Sequence, residues 1–308
     1  MIKHWRLGLS LLAIGFLMAA CDSNESKDGE HKFRVVTTTG MLGDAVKNIA
    51  GDSVDVVALM GPGVDPHLYK ATQGDLAELN DADLILYNGL FLEGKMGEVF
   101  SRLQRVKPVV AAGEVLDSTQ LLSGDAIGKT VDPHVWFDVK LWSEVVLHIG
   151  DIMAEYDPRL ADYYRANAKA YQKQLLELDA QVAEQINTIP VSQRVLITAH
   201  DAFGYFGNRY GIEVKGLQGI STLSEFGVRD ISDLVKFITD RKIKAVFVET
   251  SVSKKSIEAV VTGCRERGHE VVIGGSLFSD AMGPADSPEG TYPGMVRSNV
   301  ETIVSSLR

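Results

Sequence analysis

The sequence predicts an α/β protein of two lobes, each a mostly parallel sheet flanked by helices, joined by one long rigid helix. Three observations carry this reading. Short β-branched runs alternate with longer helical patterns, the signature of βαβ units and parallel strands. The alternation comes as two sets, one on each side of residues 158–189. The stretch between them holds a helical apolar stripe that no Gly or Pro interrupts between Pro158 and Pro190.

Taken in order, the chain opens on Lys3 and Arg6, followed by the uncharged apolar run Leu7–Ala20. Those 14 residues fall short of the roughly 20 that a membrane span needs. A basic head, an apolar centre and small residues before Cys21 mark residues 1–20 as a secretory signal. The segment resembles a bacterial lipoprotein signal, in which the cysteine becomes the lipidated first residue. Residues 21–32 are polar and read as a flexible tether. Loss of residues 1–20 removes Lys3 and Arg6 and no acid, so the formal charge moves from -10 to -12.

The N-terminal lobe spans residues 33–157. Phe33–Thr38, Val54–Leu59, Leu84–Tyr87 and Pro108–Ala111 read as strands, with helices over Met41–Ala50, Thr72–Leu79 and Glu93–Val106. In the linking helix, 158–189, Asp157 suits the N-cap and Pro158 the first helical position. Leu160, Tyr164, Ala168, Tyr171, Leu175, Leu178, Val182 and Ile186 line one face, so the segment is a packed strut that permits limited hinge motion. The C-terminal lobe spans residues 190–308. Its strands are Arg194–Thr198, Ile212–Leu217, Ala245–Glu249 and Glu270–Ile273; its helices are Phe203–Tyr210, Val228–Arg241, Lys254–Arg267 and Tyr292–Leu307.

Composition narrows the function. With 308 residues, 45% hydrophobic and 23% charged, a packed core is available and global disorder is excluded. An excess of 41 acidic over 31 basic residues argues against a nucleic-acid binder. Two cysteines, Cys21 and Cys264, supply neither a disulfide framework nor a cysteine-rich metal cluster.

The histidines point to a metal. Asp65-Pro66-His67 and Asp132-Pro133-His134 repeat one tripeptide, and His200 follows the strand Arg194–Thr198 directly. In parallel α/β folds the loops at the carboxyl ends of strands converge on one crevice. Proline stiffens each approach, and the aspartate two residues earlier can accept the ring's other N–H, which makes Asp65 and Asp132 candidate orienting partners. Asp280, in the polar loop after the last strand, is a candidate fourth ligand; Asp201, Glu225 and Glu249 are rivals, and Glu249 is also a candidate partner for a ligating ring. Three imidazoles and a carboxylate suit Zn²⁺, Mn²⁺ or Fe²⁺. Histidine must be neutral to ligate, so affinity is expected to fall as pH drops below about 6. His148 on a helix, His269 in a turn and His31 in the tether are set aside.

Four motifs together resemble the solute-binding proteins of zinc/manganese ABC importers, the cluster with a rigid backbone helix. They are Gly61-Pro62-Gly63-Val64-Asp65-Pro66-His67, Asp132-Pro133-His134-Val135-Trp136, Thr198-Ala199-His200-Asp201-Ala202-Phe203-Gly204-Tyr205 and Phe278-Ser279-Asp280-Ala281-Met282-Gly283. The resemblance covers nearly all of residues 33–308. It implies one divalent transition metal held between the lobes as transported ligand, by His67, His134, His200 and Asp280. It also implies a monomer, anchored to the membrane through Cys21, outside the cytoplasm, that serves an ABC permease and its ATPase. Manganese-dedicated members carry glutamate where this chain has His200, and zinc-dedicated members often carry a His-rich loop, whereas Asp117–Val131 here contains no histidine. The resemblance is therefore to the subgroup that accepts zinc and manganese, with iron a third candidate. No Gly-x-x-x-x-Gly-Lys-Ser/Thr loop occurs, so ATP hydrolysis belongs to another chain. The alternative is a secreted zinc-dependent hydrolase, which needs an open coordination position and a general base such as Glu225 or Glu249. A further alternative, a binder of metal chelates, needs a wide cleft instead of converging histidines.

Overall fold

Strands β1 (Arg34–Thr37), β2 (Asp55–Ala58), β3 (Leu84–Tyr87) and β4 (Val109–Ala111) make one sheet in the order β2-β1-β3-β4, each pair parallel. Val35, Val36, Leu84, Ile85 and Leu86 are all buried, as expected of strands covered on both faces. The connecting helices are α1 (Gly40–Ala50), α2 (Gln73–Asp81) and α3 (Gly97–Leu103). Thr39 caps α1, and Thr72 with Asp75 forms a reciprocal capping box at α2. The strand order reverses at β1, which turns the loops after the strands toward a common crevice. The computed structural model describes residues 32–124 and 130–308. The expected signal segment 1–20, Cys21 and all of the expected tether but Lys32 lie outside the described residues.

Helix α4 (Val139–Tyr156) starts at Asp138, whose carboxylate accepts from Leu141 N. A 3-10 turn over Pro158–Leu160 leads into α5 (Ala161–Asn187), which rises about 40 Å at 1.5 Å per residue. Tyr164, Ala168, Tyr171, Leu175, Leu178, Val182 and Ile186 are buried along it, the face the spacing predicts. Asp157 holds the N-cap position with Pro158 in the first turn, as the sequence predicts, and its two oxygens accept from Arg159 Nε and the Tyr164 hydroxyl, both at 2.7 Å.

Beyond α5 come β5 (Val195–His200), α6 (Gly204–Tyr210), β6 (Glu213–Gln218), α7 (Val228–Arg241), β7 (Ala245–Glu249), α8 (Lys255–Glu266), β8 (Val272–Leu277) and α9 (Tyr292–Leu307). β5 pairs with β6 and β7 with β8, both parallel. β5 and β7 lie side by side, and His200 N at the end of one donates to Glu249 Oε1 at the end of the other, at 2.8 Å.

Two boundaries differ most from the sequence reading. The helix expected from Glu93 begins only at Gly97, after a 3-10 turn. The Glu93 side chain is drawn inward instead: it accepts from Thr38 Oγ1 and Asn88 N, both at 2.7 Å, and from Gly89 N. β8 runs on through Gly274-Gly275, which looks like a strand end in the sequence. Its register slips between Val246 and Phe247, and α9 packs so closely that a Cβ on Gly275 would lie 2.5 Å from Thr302 Cγ2. The glycines permit that approach.

One hydrophobic cluster runs from Phe33, α1 and α4 through the buried face of α5 to Phe247, Tyr292 and α9. Phe33–Arg308 is thus one compact unit with α5 inside its shared core. Smaller clusters cover the remaining sheet faces, around Leu79 and Phe100 on one side and Ile238 and Val260 on the other. Among the described residues, no helix is long and apolar enough to cross a membrane.

Candidate metal centre

Three loops and the last residue of β5 bring His67, His134, Asp280 and His200 together. One potential ligand atom from each lies within 4.8 Å of all the others. All four side chains are buried. Nε2 of His67 and Nε2 of His134 face each other at 3.3 Å. Asp280 offers both oxygens inward: Oδ1 lies 3.4 Å from His134 Nε2, and Oδ2 lies 3.3 Å from His200 Nε2 and 3.9 Å from His67 Nε2.

The polar atoms at the centre are short of partners. Both ring nitrogens of His200 and both oxygens of Asp280 are buried without a bond of hydrogen-bonding geometry. Buried polar groups left unsatisfied are costly, and they mark a place where something else completes the set. Imidazole nitrogens and a carboxylate converging on one point are a donor set for a borderline divalent cation. The arrangement fits such an ion.

The outer contacts hold two of the rings. Asp132 Oδ1 accepts from both His134 Nδ1, at 2.7 Å, and His134 N, at 3.0 Å. Glu249 Oε2 sits 2.5 Å from His200 Nδ1; the angle there is not that of a good hydrogen bond, so the pair is chiefly electrostatic. Asp65 does something other than the sequence reading expects. Its Oδ1 accepts from the His67 backbone N at 2.9 Å, and its Oδ2 accepts from the Thr222 hydroxyl at 2.6 Å. At Asp65 the carboxylate thus meets the backbone of the following histidine and not its ring, whereas at Asp132 the same spacing serves both.

Charge within the cluster is set by burial against the carboxylates. Burial lowers the His67 pKa to about 3, against the pull of Asp280. For His134 burial is outweighed by Asp132 and Asp280, and the pKa rises to about 9. Burial also opposes the cationic form of His200, but Asp280 and Glu249 raise its pKa well above the usual value. Asp280 is held ionised despite burial, chiefly by His200 and His134. His134 and His200 are thus both biased toward their cationic forms by the carboxylates around them.

Against known proteins, the profile described as "ZnuA: Zinc-uptake complex component A periplasmic" matches residues 35–306. The chain belongs to the ZnuA family. Within it, this ZnuA-type chain is 51% identical over 304 residues to the zinc-binding protein TroA of Treponema pallidum, covering 98% of each chain. It is 48% identical over 300 residues to the manganese-binding lipoprotein MntA of Bacillus subtilis, covering 97% of this chain and 98% of that one. The solved structure of the periplasmic zinc-binding protein TroA from T. pallidum superposes with a TM-score of 0.87 at 52% identity, over 90% of this chain and 99% of that one.

The rivals named from sequence do not join the ZnuA-type cluster: Glu225 is exposed in a loop and Asp201 lies outside the group of four. Three supports escape sequence reading. Trp136 Nε1 donates to Ser279 O at 3.1 Å, which ties the His134 loop to the Asp280 loop. Asn88, itself fixed by Glu93, donates to Pro133 O at 3.1 Å. Asn299 both donates to and accepts from the backbone of Phe278. The Trp136 in the motif was a signal for the first; Asn88 and Asn299 sit in segments with none.

Proposed function

We propose that this protein captures one divalent transition metal outside the cytoplasm and delivers it to the permease of an ABC importer, whose separate ATPase drives uptake. His67, His134, His200 and Asp280 are the proposed ligands, with Asp132 and Glu249 orienting the rings of His134 and His200. The observation that carries this is the set of buried atoms without a hydrogen bond, Nε2 of His200 and both oxygens of Asp280, at a point where two more imidazoles converge. Membership of the ZnuA family and relatives named as zinc- and manganese-binding proteins support it. In this reading residues 33–157 and 190–308 are the two lobes, 158–189 the strut, and Cys21 the lipid-anchored first residue of a monomeric mature chain. Relatives named as lipoproteins support the anchor.

The metal is zinc or manganese, with iron a third candidate. Relatives at 51% and 48% identity carry names for different metals, so likeness alone does not choose between them. The site is not built for hydrolysis. Four protein ligands would fill a tetrahedral zinc and leave no place for a reactive water. Glu249 is engaged with His200 and Glu225 is exposed, so neither serves as a base toward the cluster.

Two measurements test the proposal. Protein purified without chelator or affinity nickel should carry one zinc or manganese per chain, and competition between the two ions then ranks them. Alanine at His67, His134 or His200 should each weaken zinc binding at least about a hundredfold, more than loss of an outer partner costs, while the far-ultraviolet circular dichroism stays unchanged. A triple variant that binds as the wild type does would remove the site.

A further inference from the structure

The two histidines contributed by the amino-terminal half are held very differently. The His134 loop is bolted to the other half by three buried bonds: Trp136 Nε1 to Ser279 O at 3.1 Å, the Tyr205 hydroxyl to Asp132 O at 3.0 Å and the Tyr292 hydroxyl to Trp136 O at 2.6 Å. The loop carrying His67 has, among the hydrogen bonds of the described residues, one bond to the carboxyl-terminal half, from the Thr222 hydroxyl to Asp65 Oδ2 at 2.6 Å. That bond is only partly buried. Through its other oxygen Asp65 holds the His67 backbone N. On the far side, Gln218 at the end of β6 donates to the carbonyls of Thr222 and Ser224, both at 2.6 Å. A continuous chain thus runs from β6 through Thr222 and Asp65 to His67.

This chain lies at an opening. A cavity of about 340 Å³ is lined by His67, Phe91, Pro133, Ile220, Ser221 and Ser224 among others. Of the four clustered side chains, His67 is the one among its lining residues. Thr222 sits between two residues of its wall. We infer that Thr222 is a positioning residue for metal retention: its bond to Asp65 latches the His67 loop shut, and the site opens by release of that latch, with His67 the first ligand to leave and the others fixed.

The inference rests on the metal-capture reading. The test is release of Zn²⁺ from the loaded protein to an excess of chromogenic chelator, followed by stopped flow, for the wild type, Thr222→Val and Thr222→Ser. Removal of one such hydrogen bond should speed Zn²⁺ release roughly three- to tenfold in Thr222→Val. Thr222→Ser, which keeps the hydroxyl, should restore the wild-type rate, and the far-ultraviolet circular dichroism of the metal-free protein should be the same in all three. Equal release rates in wild type and Thr222→Val would overturn the latch, as would fast release in Thr222→Ser. A wild type that takes up no zinc or manganese would instead remove the capture reading itself.

Discussion

At the scale of single residues, the centre is a contest between protons and a cation for the same nitrogens. The Asp280 carboxylate is buried and ionised. Asp132 and then Asp280 raise His134 to about 9, and Asp280 with Glu249 raises His200 well above the ordinary imidazole value, while burial lowers His67 to about 3. Ligation requires neutral rings, so uptake of a metal at pH 7 should expel about two protons, one each from His134 and His200. The sign follows: below their raised pKa values the metal displaces protons, affinity climbs with pH, and the climb slackens as pH passes about 9 for His134. The simple expectation from sequence, a fall below about 6, thus moves upward: it named the carboxylates but kept the ordinary imidazole pKa, which burial beside them shifts. Calorimetry of zinc binding in buffers of different ionisation enthalpy should give the proton count. A count of zero at pH 7 would contradict this account of the centre.

The four clustered side chains were legible in the sequence because each lies in a short motif at a strand end, and the repeated Asp-Pro-His made two of them conspicuous. Their supports were less so. The role of Asp132 followed from spacing, but the same spacing misled at Asp65, since two residues of separation bring a carboxylate within reach of either a ring or a backbone N–H. Glu93 was read as the start of a helix; its actual partners, Thr38 and Asn88, come from two other strand ends, which no local pattern reveals.

At the scale of elements, periodicity found those whose register is set by burial. β3, a continuous apolar run, and the buried stripe of α5, at three-four spacing, fall where the sequence places them. β8 did not, because a glycine pair is a turn signal by composition and a close-packing device by position. Gly275 should therefore tolerate no side chain. In Gly275→Val the new Cβ would sit 2.5 Å from Thr302 Cγ2, and overpacking of this kind costs about 1–3 kcal/mol. Chemical denaturation of the metal-free variant should show that loss with an unchanged slope. Thr302→Ala, by clearing the contacting methyl, should recover part of it in the double variant. A Gly275→Val chain as stable as the wild type would mean that α9 does not press on β8 as described.

At the scale of the whole molecule, α5 and α9 lie within one hydrophobic cluster that both sheet systems share. Swinging the halves apart would expose that cluster, so we expect opening to be local, in loops such as that of His67. Binding of zinc to the folded state alone should raise stability by about 2.7 kcal/mol when free metal is a hundred times Kd, a rise of roughly 5 °C or more in melting temperature. The radius of gyration from solution scattering should stay the same within error. A clear contraction on metal addition would show hinge closure of entire lobes and would contradict the shared, rigid core.

The most direct test of the central claim is an anomalous difference map, collected above the zinc absorption edge, from crystals of the zinc-loaded protein. The account predicts one peak, bonded to Nε2 of His67, His134 and His200 and to the Asp280 carboxylate. A peak elsewhere, or none at this point in a protein shown to hold zinc, would contradict it.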